Sequence, residues 1–290
     1  MSKRRTLKEL TLKDNFMFGA VMCDENNCRR LLELILQMPI ERVEVCKEKS
    51  IVYHPEYKGI RMDVYARDKK NTHYNVEMQA VRESALGKRA RYYHSQIDME
   101  LLLTGADYSE LPNTYVIFIC DFDPFGEEKY CYTFQNQCKE SKTVNMQDGC
   151  RSIFLSTRGK NTDEVPKAMV KFLDYVKADL LESTKDFDDD FVRSIQKSVQ
   201  QVKQSREMEE RFMILHEMLR RERVEGKAEG KAEGKAEGKA EAVLELLEDL
   251  GSISEEIQDK IMSETDLAVL KKWHKLAAKT ESVEEFLQNM

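Results

Sequence analysis

Residues 114–120, Thr114-Tyr-Val-Ile-Phe-Ile-Cys, form an unbroken apolar run rich in β-branched and aromatic side chains. A run this short and without polar alternation reads as a strand covered on both faces. A strand of that kind needs packing partners on either side of its sheet, and the preceding sequence supplies them. Ile60-Arg-Met-Asp-Val-Tyr-Ala alternates, with Ile60, Met62 and Val64 on one face and Arg61, Asp63 and Tyr65 on the other. After the turn residues 67–72, His73-Tyr-Asn-Val-Glu-Met-Gln-Ala alternates again, with Tyr74, Val76 and Met78 opposite Asn75, Glu77 and Gln79. Short strand signals also lie at Val43 to Cys46 and Ile51 to Tyr53. Helices are expected over 26–37, stopped by Pro39, and from about 86 to 104, ending at Gly105. Strand, strand, helix, buried strand is an α/β order.

Charged residues make up 34% of the chain, above the usual value of about 25%. The net charge is -7, which argues against a generally basic nucleic-acid coat protein. The average hides an asymmetry. The first 105 residues carry 19 Lys and Arg against 15 Asp and Glu, and the remainder carries 27 against 38. The seven cysteines contain no CxxC pair, so they read as small buried thiols in a reducing compartment and not as a zinc site. No apolar run approaches about 18 residues and no apolar segment follows the basic N-terminus. The expectation is a soluble, cytoplasmic protein without a membrane segment.

Four regions follow from these patterns. Residues 1–160 read as the α/β core. Residues 161–224 read as a helical extension, with one apolar stripe through Val165, Met169, Phe172, Leu173 and Val176 and another from Phe191 to Val202. The second stripe resumes at Met208, Phe212, Leu215 and Leu219 after a polar gap at Ser205-Arg206, which weakens the case for a long coiled coil. Residues 225–242 contain Glu-Gly-Lys-Ala four times in tandem. Each Gly costs about 1 kcal/mol in a helix relative to Ala, so the repeat reads as a weakly helical, solvated spacer. Residues 243–290 read as a small helical module, with capping boxes at Ser252/Glu255, Ser263/Asp266 and Ser282/Glu285 predicting three short helices.

Asp63 and Glu77 sit on consecutive predicted strands, on the faces opposite the apolar residues. A hairpin would bring both carboxylates to one end of the sheet, with Gln79 sharing the face of Glu77. Two hard oxygen donors beside a third polar group suit a divalent metal with open positions for water and phosphate. Strands also carry Asp and Glu on ordinary solvated faces, and on spacing alone that reading has the advantage. Glu33 on the first helix could add a carboxylate, though a solvated helix position is favoured, and Asp14 reads as a helix N-cap. Arg82, Lys88, Arg89 and Arg91, interleaved with Tyr92, Tyr93 and His94, form either a phosphate-binding face or a solvated basic face over core tyrosines. His54, His73 and His94 form no ligand set, and structural roles are favoured for each. No Ser/His/Asp, Cys/His or phosphate-cradling glycine pattern is present.

Several stretches taken together resemble the PD-(D/E)XK nuclease family transposases, also called Rpn-type recombination-promoting nucleases. They are Thr11-Leu-Lys-Asp-Asn-Phe-Met-Phe, Arg61-Met-Asp-Val, Asn75-Val-Glu-Met-Gln, Arg89-Ala-Arg-Tyr-Tyr, Gly105-Ala-Asp-Tyr-Ser-Glu-Leu and Val116-Ile-Phe-Ile-Cys-Asp-Phe. They span roughly residues 8–160, and their order and spacing carry the resemblance. It implies a restriction-endonuclease-like core, a mixed sheet flanked by helices, and a Mg2+-dependent DNA endonuclease activity, with Mn2+ as a substitute. By position, Asp63 and Glu77 match the two metal-binding carboxylates. Gln79 stands where the name-giving motif has Lys, and Met62 stands where it has Pro. A Gln exchanges hydrogen bonds but brings no charge to the phosphorane. In this reading Asp63 and Glu77 hold the metal, Gln79 orients the nucleophile, and Arg89, Arg91 and Tyr92 meet DNA. A homodimer through the helical C-terminal half would let two sites cut two strands. The rival is a catalytically weak or silent interaction protein on a nuclease fold, to which Gln79, the acidic charge and the large helical half all point.

Overall fold

The computed structural model describes residues 5–47, 49–51 and 58–290. The strand expected through Tyr53 and the residue His54 lie partly or wholly outside the described residues. The chain opens with two helices, α1 (Asn15–Met22) and α2 (Glu25–Leu36). Asp24 caps α2 by accepting the Asn27 N–H at 2.9 Å, and Gln37 ends it in the left-handed conformation with φ 54°. Strand β1 (Val43–Lys47) follows, then β2 (Ser50–Ile51) and β3 (Ile60–Arg61), which pair with each other.

A tight hairpin joins β4 (Val64–Asp68) to β5 (His73–Gln79). Asp68 builds its turn, its Oδ1 accepting the N–H groups of Lys70 and Thr72, each at 2.9 Å. Helix α3 (Leu86–Leu101) then crosses to β6 (Thr114–Cys120), and β7 (Cys131–Phe134) and β8 (Cys150–Ser156) complete the sheet. Its strand order is β1-β4-β5-β6-β8-β7, with β5, β6 and β8 parallel and the outer strands antiparallel.

The parallel centre explains the apolar run. Ile117 and Ile119 of β6 face a core built with α1, α2, α4 (Lys167–Lys177) and α5 (Asp190–Gln204). Val116, Phe118 and Cys120 face a second core under α3. Each such side chain contributes about 1.5–3 kcal/mol on burial. The chain is thus a mixed six-stranded sheet flanked by helices and followed by a helical C-terminal region. In β5, Tyr74, Val76 and Met78 face the first core as expected. In the preceding segment the expected alternation fails. Ile60 and Met62 belong to the second core, but Val64 belongs to the first. A bend at Asp63 shifts the phase by one residue, so Ile60, Met62 and Val64 do not share a face.

Two compact units are present, Met1–Phe212 and Met213–Met290. Helix α5 ends at Ser205, whose extended backbone interrupts the apolar stripe at the expected gap. Helix α6 (Arg206–Glu248) takes in the whole Glu-Gly-Lys-Ala repeat. The repeat is therefore helical throughout. Its glycines face open space, but Ala236 and Ala240 are buried with Val243, Leu247, Ile261, Leu270 and Phe286 of the C-terminal unit. Three short helices follow, α7 (Glu255–Met262), α8 (Leu267–Ala277) and α9 (Val283–Asn289). Only the third starts on the expected cap, Ser282 accepting the Glu285 N–H at 3.2 Å. Ser254 precedes α7, and Asp266 caps α8 through the Ala268 N–H, while Ser263 stands at the end of α7.

Phe154 on β8 stacks on Phe118 with centroids 5.2 Å apart and meets Phe125 and Phe134 edge-on at 5.1 and 5.7 Å. Phe154→Ala should cost about 3–5 kcal/mol, read as a lower urea midpoint with an unchanged slope.

Candidate active site

The register of β4 and β5 decides where the two carboxylates meet. Val64 pairs with Val76, so Asp63 at the bend lies beside Glu77. The two are then interlocked through the backbone. The Asp63 N–H donates to Glu77 Oε1 at 3.2 Å, and the Met78 N–H donates to Asp63 Oδ2 at 3.0 Å. Asn15, in the first turn of α1, donates its Nδ2 to the same Asp63 oxygen at 3.3 Å.

The polar face of β5 is not solvated. Asn75, Glu77 and Gln79 are 0%, 1% and 7% exposed, because α3 lies over that face. Burial raises the Asp63 carboxyl above its ordinary range. Burial, followed by the neighbouring Asp63 charge, raises Glu77 to about 7. Arg89 of α3 answers this charge. Its Nη2 donates to Glu77 Oε2 at 2.9 Å, its Nη1 to Gln79 Oε1 at 3.1 Å and to Glu83 at 3.2 Å, and its Nε to the Tyr93 hydroxyl at 2.8 Å. The guanidinium also lies over the rings of Tyr93 and Phe118, at 5.2 and 5.5 Å. Burial works against its charge, and Tyr93 and Glu77 more than offset this. The Tyr93 hydroxyl also reaches Glu77 Oε2 at 3.3 Å. Gln79 has both ends of its amide engaged, since Nε2 donates to the Val81 carbonyl at 2.7 Å.

The structure thus brings Asp63, Glu77, Gln79 and Arg89 together. Arg91 is exposed, and Tyr92 is half-buried with its hydroxyl on the Lys58 carbonyl at 2.5 Å. Glu33 does not join the group: Arg29 and the Ile40 N–H take its two oxygens, at 2.6 and 2.9 Å. Asp14 occupies the N-cap position of α1, but its side chain turns back to the Thr11 N–H at 2.8 Å and to Arg5 at 3.0 Å. His73 bonds the Tyr65 hydroxyl and Asn71, and His94 bonds the Thr114 and Ser152 hydroxyls. Burial lowers both imidazoles to about 4, so they are neutral structural groups.

Sequence patterns do not mark Asn15 as a partner of Asp63, Tyr93 as a partner of Glu77, or a second cluster at the same end of the sheet. Asp121 follows β6, and its N–H donates to the Gln79 carbonyl at 3.0 Å. Its carboxylate accepts from Lys13 at 3.2 Å, Thr157 at 2.9 Å and Arg158 at 3.2 Å. Arg82, over the Phe122 ring and bonded to the Asp123 carbonyl, adds another partly exposed cation.

Among the described residues, no group of three or more His, Cys, Asp and Glu is placed to hold a metal ion. The donor chemistry here is two carboxylates. Asp63 Oδ1 accepts no hydrogen bond among the described residues. Asn75, fully buried on the same face, lies beside Glu77 and favours its charged form. A carboxylate pair, one member buried and the other half-buried, with an uncommitted Asp63 oxygen fits a hard divalent cation and its waters.

The raised Glu77 carboxyl makes stability depend on pH. The native state keeps a proton that the unfolded chain releases in the ordinary glutamate range. The contribution is therefore present in acid and lost as pH rises through about 7. In metal-free buffer, Tm should fall more steeply from about pH 5 to about pH 8 in wild type than in Glu77→Gln, as differential scanning fluorimetry would show.

A family model described as PD-(D/E)XK nuclease family transposase matches residues 13–223. No curated protein and no solved structure matches the chain. The matched span exceeds half of the chain and takes in Asn15, Asp63, Glu77, Gln79 and Arg89. The chain belongs to the PD-(D/E)XK nuclease family transposases.

Proposed function

We propose that the protein is a Mg2+-dependent DNA endonuclease that hydrolyses phosphodiester bonds, with Mn2+ able to replace Mg2+. The observation that supports it is the half-buried Asp63 set against the buried Glu77, two negative charges that need cations to stay ionised together at neutral pH. Asp63 and Glu77 would hold the metal. When bound, it would lower the pKa of a water and offset negative charge at phosphorus. The protein's own part is positioning. The Met78 and Asp63 N–H groups fix the two carboxylates, and Asn15 braces Asp63. Gln79 takes the place of the motif Lys, where it holds Arg89 through its carbonyl oxygen.

DNA is the partner this assigns. Lys13, Arg82, Arg91 and Arg158 are exposed or partly exposed cations available to phosphates, with Tyr92 next to Arg91 in α3, so affinity should be modest and salt-sensitive. A second copy is the partner assigned to the C-terminal half. One such site cuts one strand, and Ile214, Met218 and Leu219 of α6 leave apolar surface exposed at 63%, 55% and 53%. Sedimentation of the full chain should show a dimer at micromolar concentration; a monomer throughout would refute that assignment.

The rival, a silent nuclease fold kept for protein interaction, draws on the grip of Arg89 on Glu77. Cleavage decides between them. Supercoiled plasmid should be nicked or linearised with Mg2+ and left intact with EDTA. Asp63→Ala and Glu77→Ala should each lower the rate by about 100-fold or more, the scale of losing a metal ligand. Undiminished cleavage by both variants would overturn the proposal. Described residues include no helix long and apolar enough to cross a membrane.

A further inference from the structure

The charge balance of the carboxylate pair assigns a second role within the same site, and it rests on the reading that Asp63 and Glu77 hold a divalent cation. The four carboxylate oxygens are not equivalent. Asp63 Oδ2 is held by the Met78 N–H and Asn15, and Glu77 Oε1 by the Asp63 N–H. These neutral bonds fix the orientation of both groups. A cation shared by the pair would sit on the same Glu77 carboxylate whose Oε2 takes both Arg89 and the Tyr93 hydroxyl. Glu77 Oε2 is the oxygen that Arg89 already occupies at 2.9 Å, in an ion pair whose acid side chain is 2% exposed and whose basic side chain is 33% exposed.

We propose that Arg89 is the resident counter-ion of this site and competes with the divalent cation for Glu77. A guanidinium and a metal ion on one carboxylate repel each other in a buried setting, where charge interactions are poorly screened. One must therefore yield. The surroundings of Arg89 allow it to do so without moving the backbone. Gln79 Oε1, the exposed Glu83 and the Tyr93 hydroxyl all hold other parts of the same guanidinium. Released from Glu77, the side chain keeps these anchors and stays beside the carboxylates, where the freed Nη2 can donate to a phosphate oxygen. Arg89 thus serves two anions in turn, the enzyme's own glutamate and the substrate's phosphodiester.

The test needs no DNA and no turnover. Isothermal titration of the full chain with Mn2+, at about pH 8.5 to limit proton competition, would compare wild type, Arg89→Met, Arg89→Lys and Glu77→Gln. Removing the competitor should tighten Mn2+ binding by about fivefold or more in Arg89→Met, the lower end of a coupling between two ligands of one site. The Mn2+-induced rise in Tm should also be larger in that variant. Arg89→Lys keeps a cation but cannot grip Glu77 and Gln79 together, so it should fall between the two, and it serves if Arg89→Met folds poorly by circular dichroism. Glu77→Gln should lose binding. If Glu77→Gln loses binding while both Arg89 variants bind no tighter than wild type, the competition is refuted and the metal site stands. If Glu77→Gln binds as wild type does, or no protein binds Mn2+, both the competition and the metal site fall.

Discussion

A buried carboxylate, Glu77, set against the half-buried Asp63 at the end of a sheet is the constraint on which this structure turns. Taking one ionised carboxylate out of water is costly, and taking two to the same place adds their repulsion. The protein meets this cost with three devices that come from different parts of the chain. The bend at Asp63 lets each acid accept a backbone N–H beside the other. Helix α1 brings Asn15 to Asp63. Helix α3 brings Arg89 to Glu77, and Tyr93, one turn further along, holds both partners. The position of α3 is thus more than core packing. Val116, Phe118 and Phe154 give it an apolar floor, and Phe118 also lies under the guanidinium.

Much of this framework can be read from the sequence. The apolar run at Thr114–Cys120 announces a sheet with two covered faces, and the alternation of residues 73–80 places Glu77 and Gln79 together. What the sequence conceals has specific physical causes. The phase slip at Asp63 is invisible because a bend leaves the alternating pattern of Ile60, Met62 and Val64 intact while changing what each residue faces. Burial of the polar face of β5 is invisible because alternation looks the same whether the polar side meets water or a helix. Strands β7 and β8 offer little signal, since Cys131-Tyr-Thr-Phe is half exposed and only the last four residues of β8 are buried. Asn15 and Asp121 meet the site across 48 and 42 residues of chain, separations that no local pattern encodes.

The C-terminal half shows the opposite error. The repeated Gly-Lys-Ala units suggest a loose spacer because propensity counts every Gly against the helix. Packing reverses the balance. With a four-residue period, each Ala lies about 40° further round the helix than the one before, and the last two, Ala236 and Ala240, reach the face that α7, α8 and α9 cover. Tertiary contact at those alanines offsets the unfavourable glycines, which remain on the open side.

The Gln at position 79 also takes on a different meaning beside Arg89. Judged by itself, Gln for Lys removes a positive charge from a site that handles phosphate. In the structure the side chain at 79 receives a hydrogen bond from Arg89 Nη1 at 3.1 Å. Lys has no acceptor to offer there, and its ammonium would confront a guanidinium across a buried gap. Gln supplies a carbonyl oxygen in its place, so the neutral side chain is what allows the guanidinium to approach. The positive charge of the site has therefore moved from the strand to the helix above it, and the residues at 79 and 89 act as a pair. That placement also suits a chain with high overall charge but only a modest basic excess, confined to its first 105 residues. The cation that matters most to the carboxylates is held at short range by named partners, and long-range attraction is left to the exposed lysines and arginines around it.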